Sequence, residues 1–259
     1  MTHSECTAGA PPGRQPRTLS GLPYNSRTTF VNLDVYHDDT AHSAATNMAI
    51  DEALLGQAAV PSIRFYRWYS PALSFGYFGK FADVSGYAGE RDLVRRWTGG
   101  GIVLHGGDLT YSVAVPASDS AFGGSSISIY EKIHHALCDA LNANGERAFV
   151  AGGVDPGPVV STTRAALTAS GYNCFANPVR ADVMIDGRKI AGAAQRRTRS
   201  GLLQQGSIQG VNLENDLAER FAHALSHNCN ERKVDEEMLN RARELAQCKY
   251  GTDSWLRKR

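Results

Sequence analysis

The chain has 259 residues, of which 42% are hydrophobic and 20% charged, with a formal net charge of +1. That apolar content is enough for a buried core, and the balanced charge excludes a general nucleic-acid binder, which needs a basic excess. No apolar run is long enough to span a membrane.

Residues 1 to about 26 are rich in Gly, Pro, Ser, Thr and Arg and hold no apolar stretch of the secretory kind. A disordered tail over 1–27 is therefore expected, with the folded chain running as one domain over 28–259. The five cysteines are Cys6, Cys138, Cys174, Cys229 and Cys248. They are odd in number, widely spread and lack CxxC pairing. That predicts reduced thiols in a cytoplasmic protein, with no disulfide frame and no metal site.

Thr29 to Tyr36 alternates and predicts a strand. Thr46 predicts an N-cap for a helix over Asn47 to Leu55. Ser62 to Trp68 and Ala72 to Tyr77 predict two strands joined at Ser70-Pro71, and Leu93 to Arg96, Ile102 to His105 and Leu109 to Val115 predict three more.

Between Arg96 and Ile102 stand three consecutive glycines, Gly99, Gly100 and Gly101. Glycine costs backbone entropy, so a triplet implies unusual dihedrals or close approach to a ligand. Arg95 and Arg96 beside it offer fork-shaped cationic donors suited to phosphate or carboxylate. A solvated glycine turn is the alternative. No Gly-Lys-Ser/Thr follows, so this is no P-loop, and the glycines precede a strand rather than a helix, so it is no dinucleotide fingerprint.

Ser128 and Glu131 form a capping-box pattern, and Ile129, Ile133, Leu137 and Leu141 recur every four residues. An amphipathic helix over Ser128 to Asn142 is expected. Cys174 lies in a stretch between Tyr172-Asn173 and Pro178 that reads as a loop. It is either an ordinary half-buried cysteine or, near cations, a partly ionised nucleophile.

Strands are expected over Val183 to Ile185, Arg188 to Arg197 and Leu202 to Gln209, with a hairpin turn at Asp186-Gly187. Lys189 and Ile190 should face opposite sides of their strand. The small residues Ala191 to Ala194 leave room for a ligand or a close neighbour. Lys189 is either a solvated charge or a pocket cation that polarises an acyl carbonyl. Helices around Glu214 to Ser226 and Asp235 to Lys249 close the chain. Strands in runs with few helices between them indicate an α+β fold.

Together these stretches resemble the lipoate-protein ligase and octanoyltransferase family. Arg95-Arg96-x-Thr98-Gly99-Gly100-Gly101-x-Val103-x-His105, with Tyr111-Ser112 downstream, resembles its glycine-rich signature. Asn47 to Leu54 resembles its first helix, and Arg64-Phe65-Tyr66-x-Trp68-x-x-Pro71 with Ser74-x-Gly76 its next hairpin. Asp182 and Gly187-x-Lys189-Ile190-x-Gly192-x-Ala194-Gln195 resemble the segment carrying the family's essential lysine. Gln205-Gly206-Ser207 stands where ligases carry a histidine-led motif, and Tyr250-Gly251-Thr252-Asp253-x-Trp255 resembles the C-terminal ending. The resemblance covers roughly Thr28 to Trp255.

It implies a mixed sheet flanked by helices, like that of biotin and lipoate ligase catalytic domains, enclosing a tunnel for a medium-length acyl chain. Arg95, Arg96, Thr98, Gly99, Gly100, Gly101, His105, Asp182, Gly192 and Ala194 would bind substrate. Two branches differ in chemistry. The transferase branch takes octanoyl from acyl carrier protein through a cysteine thioester, and in some of its members a Cys-Phe pair stands where Cys174-Phe175 stands here. Cys174 and Lys189 would then be catalytic, with no cofactor. The ligase branch uses ATP and Mg²⁺, with Lys189 at the carboxylate and α-phosphate, Asp182 helping to hold Mg²⁺, and Cys174 a bystander. Many ligases carry an accessory domain, and none is expected after an ending at Arg259. In both branches the acceptor is a lysine on a lipoyl domain of a 2-oxoacid dehydrogenase or on the glycine-cleavage H protein. Cys174-Phe175 and the missing accessory domain favour transfer. A non-catalytic acyl or lipoyl-domain binding protein is a third reading.

Overall fold

The computed structural model describes residues 28–152, 179–213 and 216–258. The tail 1–27 and the Cys174-Phe175 stretch lie outside the described residues. In chain order the elements are β1 (Leu33–His42), α1 (Ala44–Gln57), β2 (Ser62–Trp68), β3 (Ala72–Phe75), β4 (Asp92–Arg95), β5 (Ile102–His105), β6 (Leu109–Pro116) and α2 (Ser126–Ala143). There follow β7 (Phe149–Val150), β8 (Val183–Ile185), β9 (Arg188–Arg197), β10 (Gly201–Ile208), α3 (Leu217–Leu225), β11 (Cys229–Arg232), α4 (Glu236–Leu245), which ends in a π-turn over Ala246–Tyr250, and α5 (Asp253–Leu256).

Among the described residues, eight strands form one mixed sheet in the order β11-β1-β2-β6-β10-β9-β8-β7, and β4-β3-β5 form a second, smaller one. The fold is α+β, as expected. Strand alternation divides the large sheet into two faces. Ile63, Phe65, Tyr111 and Val113 turn to one face and pack with the apolar stripes of α2 and α3. Tyr66, Ala114 and Leu203 turn to the other, under α1 and α4.

That second face carries an ionic core. The wholly buried Arg64 donates to Asp38 at 2.7 Å, Asp51 at 2.8 Å and Asn47 Oδ1 at 2.7 Å. Asp51 also accepts from Tyr66, Ser112 and Gln205. Every donor and acceptor has a partner, which such burial requires. The cluster fixes α1 over β2, β6 and β10.

Two helix starts differ from expectation. Helix α1 is capped by Ser43, whose hydroxyl accepts from the Thr46 amide, so Thr46 lies in the first turn. Helix α2 is capped by Ser125, which accepts from the Ser128 amide. Glu131 does not close a capping box but pairs with Arg180 at 2.8 Å. In both cases a serine three residues upstream takes the cap, because a cap needs extended dihedrals just outside the helix. Strand β1 begins at Leu33, later than Thr29, and runs on to His42. Among the described residues no helix is long and apolar enough to cross a membrane.

Candidate active site

A cavity of about 420 Å³ opens between the α1 face of the large sheet and the small sheet. Phe75, Ile102 and Val103 of the small sheet make an apolar wall. Gly192 and Ala194 of β9 face Gln205 and Ser207 of β10 across the opposite wall. Its lip carries the exposed Phe78 and Val179, 84% and 50% accessible.

Lys189 enters from β9. Its ammonium lies 2.8 Å from Asp182 Oδ2, with the two side chains 4% and 1% exposed. Simple alternation would set Lys189 on the face of Ala191. However, the β8–β9 register shifts between Val183 and Met184, and Ile190 and Ala191 both go into the core. This bulge brings Lys189 round to the face of Gly192 and Ala194. Lys189 and Ile190 face opposite sides, as expected.

Asp182 is held from three directions. The Val179 amide donates to Oδ2 at 2.7 Å, Tyr130 donates to Oδ1 at 3.1 Å, and Lys189 closes the ion pair. Ala181 before it has a φ of 71°, a left-handed conformation rare for a residue with a Cβ.

The glycine-rich loop forms the cavity edge through Gly100 and Gly101. Gly100 has a φ of 84°, which suits glycine. Gly76, just past the end of β3, lies so close that a Cβ there would fall 2.1 Å from the Gly100 carbonyl oxygen. Arg96 braces the loop from inside, donating to the Gly99 carbonyl at 3.0 Å, the Gly101 carbonyl at 2.8 Å and Ser74 Oγ at 2.7 Å.

Ser74 continues into a buried chain. Its hydroxyl meets His105 Nε2 at 2.7 Å, and His105 Nδ1 meets Asp108 Oδ2 at 2.8 Å. Asp108 also accepts from Thr110 and Ser207. Trp68 stacks on the His105 ring, centroids 4.0 Å apart. Burial pushes the His105 pKa below its ordinary value, and Asp108 only partly opposes this. A neutral His105 therefore donates from Nδ1 to Asp108 and accepts the Ser74 proton at Nε2. Burial alone would raise the Asp108 carboxyl, but its donors, His105 first, hold it below the usual range. The order Asp-His-Ser resembles a nucleophilic triad, but Ser74 is wholly buried and its hydroxyl is engaged on both sides, accepting from Arg96 and donating to His105.

Of the residues singled out in the sequence, Arg96, Gly100, Gly101, His105, Asp182, Lys189, Gly192 and Ala194 all line this one cavity. Arg95, Thr98 and Gly99 stand behind its wall. Thr98 donates to Gln205 Oε1 at 2.8 Å, and the buried Arg95 is bound to backbone carbonyls of the loop after β3 and of the C-terminus. Cys174 lies outside the described residues. Sequence reasoning missed Ser74, Asp108 and Tyr130 as parts of the site. Tyr130 sits in an apolar-rich helix pattern that carries no local signal, while Ser74 stands out only as part of the Ser74-x-Gly76 hairpin resemblance. Among the described residues, no group of three or more His, Cys, Asp or Glu stands where it could hold a metal ion.

The chain is similar to several known proteins. Octanoyltransferase LipM of Kyrpidia tusciae is 39% identical over 176 residues, covering 64% of this chain and 62% of that protein. Octanoyltransferase LipM of Bacillus cereus is 38% identical over 189 residues, covering 69% of this chain and 65% of that protein. The chain thus spans less than two thirds of the length of these relatives. Among solved structures, lipoate-protein ligase A bound with ATP superposes with a TM-score of 0.65 at 23% identity, covering 88% of this chain and 98% of that one. The bipartite lipoate protein ligase of Thermoplasma acidophilum, studied with its E2 lipoyl domain, superposes with a TM-score of 0.61 at 22% identity, covering 87% and 96%. These two likenesses establish the fold expected from the sequence. The family model of the lipoyl protein ligase A/B catalytic domain matches residues 43–249, from the N-cap of α1 to the π-turn after α4 and across every wall of the cavity, and the chain belongs to that family.

Proposed function

We propose that this chain is an acyltransferase of protein lipoylation, working in the cytoplasm. It takes an octanoyl (or lipoyl) group as a thioester from acyl carrier protein and passes it to one lysine of a lipoyl domain or of the glycine-cleavage H protein. The observation that carries this reading is the buried Lys189–Asp182 pair, set in the wall of a cavity of about 420 Å³ with an apolar side. An ammonium held there is placed to stabilise an oxyanion where water is scarce. The similarity to octanoyltransferases supports transfer over ligation.

In this reading the Cys174 thiolate attacks the donor's thioester carbonyl. The Lys189 ammonium stabilises the tetrahedral oxyanion, the bond between the acyl carbon and the carrier sulfur breaks, and the departing carrier thiolate takes a proton from solvent. The acceptor lysine, as a neutral amine, attacks the Cys174 thioester. The amide forms, the amine proton is lost, and the Cys174 thiolate is restored. The thioester supplies the activation, so the reaction runs without ATP or a metal. The glycine loop and Gly192–Ala194 enclose the chain, and Arg96 and His105 keep that enclosure rigid.

The test is intact-mass analysis of the protein mixed with octanoyl-carrier protein and no ATP. The expected result is an octanoyl adduct that Cys174→Ala abolishes, and transfer to a lipoyl domain that Lys189→Ala abolishes. No adduct, together with ATP- and Mg²⁺-dependent lipoylation that survives Cys174→Ala, would overturn it in favour of a ligase. No turnover under either condition would leave a binding protein.

A further inference from the structure

Helix α2 reaches across to the strained stretch beside Lys189 with two side chains one turn apart. His134 Nδ1 lies 2.5 Å from the carbonyl oxygen of Ala181, the residue with a φ of 71°. Tyr130 Oη donates to the carboxylate at Asp182 Oδ1, 3.1 Å away, with the Ala193 carbonyl a second acceptor at the same distance, and it accepts from the Ala193 amide at 2.9 Å. Spacing of four along a helix puts both on one face, and their rings meet edge to face at 4.4 Å. Neither lines the cavity, so neither touches a bound acyl group.

The histidine is itself held in one tautomer. Burial pushes its pKa down to about 4, so the ring is neutral at neutral pH. Its Nδ1 proton faces a carbonyl, which can only accept. Its Nε2 must then accept from Tyr111 Oη, 2.8 Å away. Gln204 donates to that Tyr111 oxygen at 3.4 Å, and Gln195 donates to Gln204 at 2.8 Å. This chain thus runs from Gln195, near the C-terminal end of β9, to the Ala181 peptide, and each member fixes the next.

We propose that Tyr130 and His134 are positioning residues, holding Ala181 in its left-handed conformation and so aiming Asp182 at Lys189. The inference rests on the proposed reading, in which transfer depends on Lys189. The physical reason is the direction of strain. Relaxing an alanine from positive φ would swing the Asp182 peptide, and with it the carboxylate that fixes the ammonium. Two hydrogen bonds from a rigid helix oppose that swing. A glycine at 181 would adopt positive φ without steric cost and would depend less on the clamp.

The experiment uses the full chain, with two readouts. One is the rate at which Lys189 reacts with acetic anhydride, followed by peptide mass spectrometry, which needs no turnover. The other is kcat and KM with octanoyl-carrier protein. Tyr130→Phe and His134→Asn are each expected to speed Lys189 labelling about tenfold and to lower kcat about tenfold with KM nearly unchanged. Adding Ala181→Gly to His134→Asn should restore most of the lost kcat. Unchanged labelling in the folded variants would overturn the proposal, as would losses that follow thermal stability and are not rescued by glycine. If one variant fails to fold, the other decides. If the unmodified protein transfers nothing, the proposed function fails, while the labelling result still decides the clamp.

Discussion

The side chain of Lys189 lies directly over Gly192. A Cβ built on Gly192 would fall 2.5 Å from Lys189 Cε, 2.6 Å from its Nζ and 3.1 Å from Asp182 Oδ1. The backbone there needs no positive φ, so the glycine is required for space alone. Gly192→Ala is therefore expected to displace the ammonium without disrupting β9. Acyl transfer should fall by roughly a hundredfold, the scale of a 1 Å misplacement at a reacting centre. Thermal stability should fall by only a few degrees. Initial rates and a melting curve check this, and full activity in the variant would mean that transfer does not depend on where Lys189 sits.

How much of this site could be read from the chain turns on range. Strands β2, β5, β8 and β9 have the bounds that alternation and turn residues predict, because those signals are local. The hairpin at Asp186-Gly187 follows from its sequence, both residues having positive φ, 48° and 74°. The lysine's final placement was not legible, since the bulge that turns Lys189 toward Gly192 depends on register with β8. Arg95 and Arg96 read as a pair, yet strand period sends neighbours to opposite sides, so only Arg96 reaches the cavity. Strand β7 is only the two apolar residues Phe149 and Val150, too short for a periodic signal, and β11 carries no apolar pattern, so pairing with longer neighbours makes them strands. Cys174, on which the proposed chemistry rests, is known from sequence alone.

Acid should unfold the protein in a window set by histidines rather than carboxylates. The folded pKa of His134 is pushed down to about 4 from an ordinary 6.5, and that of His105 is also lowered, both chiefly by burial. A histidine with a depressed folded pKa binds its proton better in the unfolded chain. Its contribution is fully present above pH 6.5 and is lost as pH falls toward the folded value. Each such histidine contributes a slope of up to about 1.4 kcal/mol per pH unit in that window. Asp38 and Asp108, with lowered carboxyls, lose their contributions only below about their ordinary 3.8. Urea midpoints measured from pH 7 to 5 should therefore fall steadily, and in His134→Asn the slope should be about half. A flat midpoint across that range would refute the account.

The Arg64 cluster predicts an asymmetry between breaking and rebuilding. Arg64 joins Asp38 and Asp51, both buried, with the arginine itself wholly enclosed. Arg64→Met keeps much of the volume but leaves two carboxylates without their cation, which is expected to cost about 3–5 kcal/mol. The triple change Arg64→Met, Asp38→Asn, Asp51→Asn removes the buried charges as well and should recover part of that loss. Denaturant unfolding of the single and triple variants gives the comparison. If the single variant loses under about 1 kcal/mol, the network is not holding α1 to the sheet.

Arg95 distinguishes a structural arginine from a ligand-binding one. Its guanidinium donates to the carbonyls of Tyr77 at 2.8 Å and Gly79 at 2.6 Å on one side, and to those of Trp255 at 2.9 Å, Leu256 at 2.9 Å and Lys258 at 2.8 Å on the other. It also lies 4.6 Å over the Phe75 ring. Five carbonyls on two segments match the five N–H groups of a planar fork, and a lysine's three donors on one nitrogen cannot span them. Arg95→Lys should therefore strand several carbonyls, at a cost on the order of 3 kcal/mol. The loss should appear first as faster amide exchange over residues 253–258, which the arginine ties to the segment carrying Gly76 and Gly79 of the cavity wall. An arginine that bound an anionic donor directly would behave otherwise: Arg95→Lys would raise KM and leave exchange at the C-terminus unchanged. Hydrogen exchange measured alongside steady-state kinetics separates the two, and the carbonyl contacts require the exchange effect to dominate.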